Sequence, residues 1–133
     1  MKPTEFVRLR GQLGKTQKQM SQLLGTSLTA VHSYEQGWRH VPGHVERQIL
    51  LLAFRKVHAG ARPKPCWQQL TCPRERRELC PTWELRAGDI CWLINGTVCH
   101  GEVQNSWKKK MQLCRKCTVL RRVFDAPPEL CSP

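Results

Sequence analysis

The eight cysteines of this 133-residue chain all lie between residues 66 and 131, and none occurs before them. A unit of about 50 to 60 residues buries little apolar core, so a cysteine-rich unit of that size usually needs metal or disulfides. The composition changes at the Pro- and Gly-interrupted basic stretch 59–65, which predicts a linker. The sequence therefore predicts two small domains, residues 1–58 and 66–122, followed by a Pro-rich C-terminal tail, residues 123–133.

Positive charge is shared evenly between the two halves of the chain. The formal net charge is +12, with nine Lys/Arg against three Asp/Glu in residues 1–60 and thirteen against seven in residues 61–133. Such a balance favours a polyanionic partner, and nucleic acid fits better than an anionic membrane.

The apolar pattern predicts no membrane partner and a cytoplasmic location. The longest unbroken apolar run, Ile49 to Phe54, is six residues, and the first five residues are followed by no apolar segment of the signal-peptide type. Because the cytoplasm is reducing, metal binding is favoured over disulfides for the cysteines.

Helical periodicity dominates the first half and predicts an all-α domain of four or five short helices. Phe6, Leu9 and Leu13 share one helical face, and Thr16 followed by Gln19 has the spacing of a capping box. Glycines that can end helices follow the first three apolar stripes. Two short helices joined by a tight glycine-containing turn in a basic chain indicate a helix-turn-helix.

The segment LGKTQKQMSQLLGTSLTAVHSYEQG closely resembles the Cro/phage-repressor class, also called Xre-like, and the resemblance covers about residues 6–56. The order Thr-Gln, helix, Gly-Thr, helix, Tyr-Glu-x-Gly is specific. In this class the second helix enters the major groove, so the resemblance implies that residues 27–36 read double-stranded DNA. It also implies a transcriptional regulator, a repressor in the usual case, acting as a homodimer, since useful specificity comes from two half-sites about 34 Å apart.

The resemblance also implies roles for individual residues. Those placed against DNA are Gln17, Lys18, Ser27, Leu28, Thr29, His32 and Ser33. Leu28 could meet only a thymine methyl or turn into the core. Arg10 and Glu35 fall where the class pairs an arginine of the first helix with a glutamate at the end of the reading helix. Because the reading face lacks an arginine or glutamine, we expect modest direct readout and strong dependence on phosphate charge and DNA shape.

The segment CWLINGTVCHG, residues 91–101, has the pattern of a tight β-hairpin with a cysteine on each arm. A two-residue turn would place Cys91 and Cys99 on opposite faces, whereas a three-residue loop with a left-handed Gly96 would pair them on one face. The second register is favoured because it lets both sulfurs meet one metal ion.

A Cys-x-x-Cys knuckle follows the hairpin, and the next segment, TVLRRVF, is strand-like. Hairpin and knuckle together predict a small cysteine-rich α+β domain. The candidate metal ligands are the seven cysteines Cys66, Cys72, Cys80, Cys91, Cys99, Cys114 and Cys117. Four thiolates suffice for zinc or for an iron-sulfur cluster, so both stay open beside disulfides and an unliganded domain. Nearby cations such as Lys110 would favour thiolates.

The motifs CWQQLTC, CPTW, CWLINGTVCHG and CRKCTVL together resemble the two-CW domain, a cysteine-rich module of bacterial signalling and regulatory proteins. The resemblance spans about residues 66–120 and implies metal or redox chemistry without specifying the ligand. Gln68, Thr82 and His100 depart from the residues common in that family, but no cysteine of the pattern is lost.

The sequence thus predicts a DNA-binding transcriptional regulator with a metal-binding or redox-sensing C-terminal module. The alternative is an antitoxin-like autorepressor whose C-terminal module binds a protein partner. Metal-dependent DNA affinity would favour the first, and an adjacent toxin-like reading frame the second. An enzyme is not expected, because no cysteine is accompanied by a catalytic histidine and acid; Cys99 and His100 are merely adjacent.

Overall fold

The structure is a computed structural model that describes residues 1–59, 64–70 and 72–124. The chain divides into two compact units, Met1–Lys56 and Val57–Pro133. Residues 60–63 of the predicted linker and residues 125–133 of the predicted tail lie outside the described residues. None of the helices in the described ranges combines the length and apolar character that a membrane span requires.

The first unit is built from helices, which is compatible with the predicted all-α domain. They are α1 (Pro3–Leu13), α2 (Gln17–Leu24), α3 (Leu28–Gln36) and α4 (Gly43–Val57). Helix α3 packs against both α1 and α2. The core that these helices share comprises Phe6, Leu9, Met20, Val31, Tyr34, Val45, Ile49 and Leu50, all less than 5% exposed.

Local signals set the ends of α2 and α3. The Thr16 hydroxyl accepts a bond from the backbone N–H of Gln19 at 3.1 Å, and the Gln19 side chain accepts from the N–H of Thr16 at 3.0 Å. The Ser27 hydroxyl likewise accepts from the N–H of Ala30 at 3.0 Å. Gly25 ends α2 with a φ of 66°, a left-handed conformation that favours glycine. The turn between α2 and α3 is therefore specified by the residues inside it.

The second unit is made of short helical segments. They are α5 (Cys66–Gln69), α6 (Arg74–Glu78), α7 (Pro81–Glu84), 3₁₀ segments at Gly88–Leu93 and Cys99–Gly101, α8 (Trp107–Cys114) and α9 (Thr118–Phe124). Trp92 is fully buried, and Met111, Val119 and Leu120 are at most 5% exposed. These four apolar side chains form the centre of the unit.

The predicted β-hairpin at residues 91–101 is wrong, because the described residues contain no strand or sheet and carry 3₁₀ segments at this place. Strand alternation would turn Cys91 and Trp92 to opposite faces, whereas the 3₁₀ segment buries both, at 9% and 0% exposure. Gly96 does adopt the left-handed conformation, with φ of 85°. However, Thr97, the residue that follows it, pairs with Gln104 in an isolated antiparallel bridge. The predicted α+β class of the second domain is therefore corrected to helical.

The strand-like segment after the knuckle is also helical, and it forms α9. Val119 and Leu120 are adjacent and both buried. A strand would direct two successive side chains to opposite faces, so a helix covers the apolar centre with both residues where a strand could use one.

Aromatic side chains join several helices of the second unit. Trp67 meets Trp83 edge-on, with ring centroids 4.9 Å apart. The guanidinium groups of Arg77 and Arg86 lie over the Trp83 ring, at 4.4 and 4.0 Å from its centroid. This stack connects α5, α7 and the basic residues around them.

Candidate functional site

The outer face of α3 is open to solvent. Ala30, Val31 and Tyr34 face the core of the first unit, whereas Thr29 and His32 are exposed on the other side. Of the remaining residues predicted to contact DNA, Lys18, Ser27 and Leu28 are exposed, while Gln17 and Ser33 are half-buried. The hydroxyl of Ser27 is already used to cap α3, so it is a weaker candidate for a base contact.

Glu35 of α3 contacts side chains from two other helices. Its carboxylate accepts hydrogen bonds from Arg10 of α1, through Nε and through Nη2 at 3.4 Å, and from the Gln17 side-chain amide of α2. The Glu35 side chain is 5% exposed and the Arg10 side chain 23%. The structure therefore brings Arg10 and Glu35 together. It also adds Gln17, which the sequence assigned only to DNA.

The contact between Gln17 and Glu35 limits what Gln17 can offer to a ligand. One N–H of its amide is directed at the carboxylate. The carbonyl oxygen and the second N–H remain, so the amide can still accept and donate one bond each. The network also fixes α1 and α2 to the C-terminal end of α3, whereas Thr29 lies near the N-terminal end of that helix.

Trp38, an exposed tryptophan beside α3, was not among the residues predicted to contact DNA. Trp38 is 73% exposed, and its ring meets the ring of His32 edge-on with centroids 5.4 Å apart. Its backbone N–H donates to the carbonyl of Ser33 at 3.0 Å, which holds it at the end of α3. A large aromatic residue directly after the glycine that stops the helix is the signal that could have indicated it.

Two buried threonines contact cysteines of the second unit. All seven cysteines of the predicted metal set are free thiols, with Cys91 and Cys114 buried and the others half-buried. The hydroxyl of Thr82, a residue 1% exposed, lies 3.0 Å from the sulfur of Cys80 and 4.0 Å from that of Cys66. The thiol of Cys99 donates to the Thr97 hydroxyl at 3.5 Å.

A fully buried lysine lies among the same thiols. Lys110 is 0% exposed, and its ammonium donates to the Thr97 hydroxyl at 2.8 Å. Its charge favours the thiolate forms of Cys91, Cys99 and Cys114. The ion pairs found in the described part of this unit do not include Lys110. A buried cation without a carboxylate is costly, so thiolate charge nearby would be stabilising.

The thiols differ in acidity. A hydrogen bond from the Cys91 thiol, together with the Thr82 hydroxyl, lowers the pKa of Cys66 to about 7 against the opposing effect of burial. The same hydrogen bond and burial raise the pKa of Cys91 well above its usual value. Burial raises the pKa of Cys114 to about 11 despite Lys110, and it also raises the pKa of Cys72. Cys66 is thus the acidic thiol of the group at neutral pH.

These pKa values predict a stability maximum near pH 9 for the reduced second unit. Between pH 7 and 9 the unfolded chain binds the Cys66 proton that the folded chain has lost, so the free energy of unfolding rises with pH. Above the ordinary value of 9.0 the folded chain retains the Cys114 proton that the unfolded chain has lost, and the free energy falls. Urea unfolding with a phosphine reductant, followed by near-ultraviolet circular dichroism, measures this profile. Cys66→Ser should flatten its rising arm, and a wild-type profile without a maximum would contradict the assignment.

Zinc and iron-sulfur clusters suit the chemistry of these donors, because both bind soft thiolates. The positions of these donors, however, do not form such a site. Among the residues that the structure describes, no three His, Cys, Asp or Glu side chains lie close enough together to hold one metal ion. Instead, the thiols of Cys66 and Cys80 contact the hydroxyl of Thr82, and the thiol of Cys99 contacts that of Thr97. The predicted metal ligands are thus not assembled into a site of three or four donors.

Comparisons with protein-family models, curated proteins and solved structures returned no match.

Proposed function

We propose that this chain is a DNA-binding transcriptional regulator of the repressor type, which places α3 in the major groove. The observation that carries the proposal is the arrangement around Glu35. Arg10 and Gln17 attach α1 and α2 to the end of α3, while Thr29 and His32 stay open. A helix whose position is fixed by neighbouring helices, and whose exposed side carries polar side chains, is suited to contacting base edges.

The net charge of the chain and the side chains near the start of α2 and α3 support the same proposal. The chain has a net charge of +12, and Lys18 is exposed next to Gln17, where a phosphate contact is expected. Leu28 is 48% exposed, so it remains available for a thymine methyl group. A repressor of this kind would act in the cytoplasm and bind its operator as a homodimer, with one α3 helix in each half-site.

The second unit supports a regulatory role based on thiols. The described part of this unit holds seven free thiols, which are suited to redox chemistry, whereas the described donors are not close enough together to hold one metal ion. We therefore place redox sensing ahead of zinc or an iron-sulfur cluster as the role of this unit.

A second candidate is the antitoxin-like autorepressor, which needs a surface for a protein partner. The second unit exposes Leu79 at 76%, Leu85 at 62% and Val103 at 61%. Exposed aliphatic side chains can contribute to a protein interface where they form one contiguous patch. Copurification with the product of a neighbouring toxin-like reading frame, lost on Leu79→Ser and Leu85→Ser replacement, would support this candidate.

Replacing Thr29 and His32 together by alanine is expected to weaken binding to a selected operator about 10-fold to 100-fold, or about 1.4–2.7 kcal/mol for the two residues, because neither side chain can make the bidentate contacts that contribute about 1–3 kcal/mol each. Helix content should not change, because both side chains are exposed. The operator is first selected from random duplexes, and affinity is then measured by mobility shift.

Gln12→Ala, an exposed change on α1, is the matched control and should bind as the unchanged protein does. Affinity for any duplex should also fall steeply between about 50 and 200 mM salt, because phosphate contacts release counterions. Full binding by the double variant would refute the placement of α3, and a flat salt response would refute DNA as the partner.

A further inference from the structure

Two arginine side chains of the second unit lie over one tryptophan ring. The guanidinium carbons of Arg77, on α6, and of Arg86, which follows α7, lie 4.4 and 4.0 Å from the centroid of the Trp83 ring. Contact with the indole stabilises each cation. It also makes the two positive charges close neighbours, and like charges repel each other. An anion that contacts both arginines would remove this repulsion.

Close packing fixes the position of the Trp83 ring. Trp83 meets Trp67 edge-on. Trp67 in turn lies so close to Gly88 that a Cβ atom added at Gly88 would be 2.6 Å from Trp67 Cζ3 and 2.6 Å from Pro65 Cβ. These distances leave no room for a side chain, so only glycine permits this close approach. The two arginines therefore contact a ring that has little freedom to move.

Both guanidinium groups keep donors for a ligand. In the described ranges, the contact with Trp83 is the interaction found for each of these side chains, and neither has a hydrogen bond or an ion pair there. The Nε atom of Arg77 is buried without an acceptor among the described residues. A donor left unsatisfied in this way is costly, and an unplaced ligand or ion is one explanation for it. Arg86 is exposed and Arg77 half-buried, so a ligand can reach both.

The backbone at Arg86 is strained. Its φ is 52°, a left-handed conformation that side chains other than glycine rarely adopt. Glycine would occupy this position without the steric cost, so the local turn does not call for an arginine. Strain of this kind is most frequent at sites that bind ligands. The side chain of Arg86, rather than its backbone, therefore accounts for the residue at this position.

We propose that Arg77, Trp83 and Arg86 form a phosphate-binding surface, which contacts the backbone of double-stranded DNA. The proposal rests on the DNA binding proposed for the first unit. It adds a second contact surface, which contributes affinity but no sequence preference, because phosphates are the same at every base pair.

The chemistry of the surface and the charge of the chain favour this partner. Guanidinium groups match phosphate oxygens in charge and in the geometry of their donors. The chain carries thirteen Lys/Arg against seven Asp/Glu in residues 61–133, so a positive field surrounds this surface. Such a field attracts an extended polyanion more strongly than a single small anion.

The test measures duplex binding by the full chain, kept reduced, at several salt concentrations between about 50 and 200 mM. Each lost phosphate contact lowers the slope of log affinity against log salt by about 0.9. Arg86→Gly and Arg77→Gln should each lower the slope by this amount, and the double variant by about 1.8. Affinities for the selected operator and for an unrelated duplex should fall by the same factor.

The choice of variants separates binding from folding. Glycine accepts the left-handed conformation, so Arg86→Gly should unfold at about the same urea concentration as the unchanged chain. Arg74→Gln is the matched control. It removes the same charge from α6, but Arg74 is 81% exposed and forms an ion pair with Glu78, so the slope should stay unchanged.

An unchanged slope in both Arg86→Gly and Arg77→Gln would overturn the proposal. An equal fall in Arg74→Gln would do so too, since it would show that net charge alone decides. Vesicles that contain phosphatidylserine test the other polyanion. Loss of vesicle binding in Arg86→Gly, with duplex binding unchanged, would identify a membrane surface instead.

The outcomes also distinguish this surface from the function proposed for the whole chain. Equal affinity of the unchanged chain for all duplexes, with a slope that still falls in Arg86→Gly, would refute the repressor proposal and leave the surface in place. A clear preference for the operator, with a slope that does not fall, would refute the surface alone.

Discussion

Replacing Glu35 by alanine is expected to lower the free energy of unfolding of the first unit by about 2–4 kcal/mol. The carboxylate is 5% exposed and accepts hydrogen bonds from Arg10 and from Gln17. Its loss leaves a guanidinium that is 23% exposed without its anion, and an amide donor without its acceptor. Urea unfolding measured by circular dichroism gives the change.

The Arg74–Glu78 ion pair provides the control. It joins side chains that are 81% and 54% exposed at an i,i+4 spacing on α6. Glu78→Ala should therefore cost no more than about 0.5 kcal/mol. In the double variant Arg10→Met with Glu35→Ala, much of the Glu35→Ala loss should be recovered, because no unpaired charge remains. Additive losses would show that Arg10 and Glu35 do not act as a pair.

Replacing Trp92 by alanine is expected to cost the second unit about 3–5 kcal/mol, the usual loss for a large buried aromatic side chain. Trp92 is 0% exposed and belongs to a small apolar centre, which has few other side chains to fill the cavity. A loss of this size approaches the whole stability of a small domain. Amide hydrogen exchange should then show loss of protection in α8 and α9.

Exchange in α1 to α3 should be unchanged in this variant, because their core is formed by residues of the first unit. Trp92→Phe should lower the free energy of unfolding less than Trp92→Ala does, since most of the apolar volume is kept. Leu79→Ala is the surface control, as Leu79 is 76% exposed, and it should change little. Normal protection of α8 and α9 in Trp92→Ala would place the stabilising core elsewhere.

The first unit could be predicted in detail because its signals are local. The capping box at Thr16 and Gln19 and the left-handed Gly25 act within a few residues, so the sequence itself shows the turn. The contact of Gln17 with Glu35 and the exposure of Trp38 depend on how helices pack. The spacing of residues in the sequence does not indicate how the helices pack.

The local structure of the second unit was harder to predict, because it depends on contacts between residues that are far apart in the sequence. The Asn95-Gly96 turn between Cys91 and Cys99 fitted a hairpin, but the close approach permitted by Gly88 and the burial of both Cys91 and Trp92 favour a 3₁₀ segment. Lys110 shows the same limit. It is the third of three consecutive lysines, and nothing in that run indicates which of them is buried.

Tryptophans are divided unequally between the two units, four in the second and Trp38 alone in the first. Trp38 is the most exposed large apolar residue of the first unit, and it lies against His32 on α3. Its fluorescence should therefore respond to any ligand that covers this helix. With the other four indoles replaced by phenylalanine, the chain would carry a built-in optical probe at the surface proposed to meet DNA.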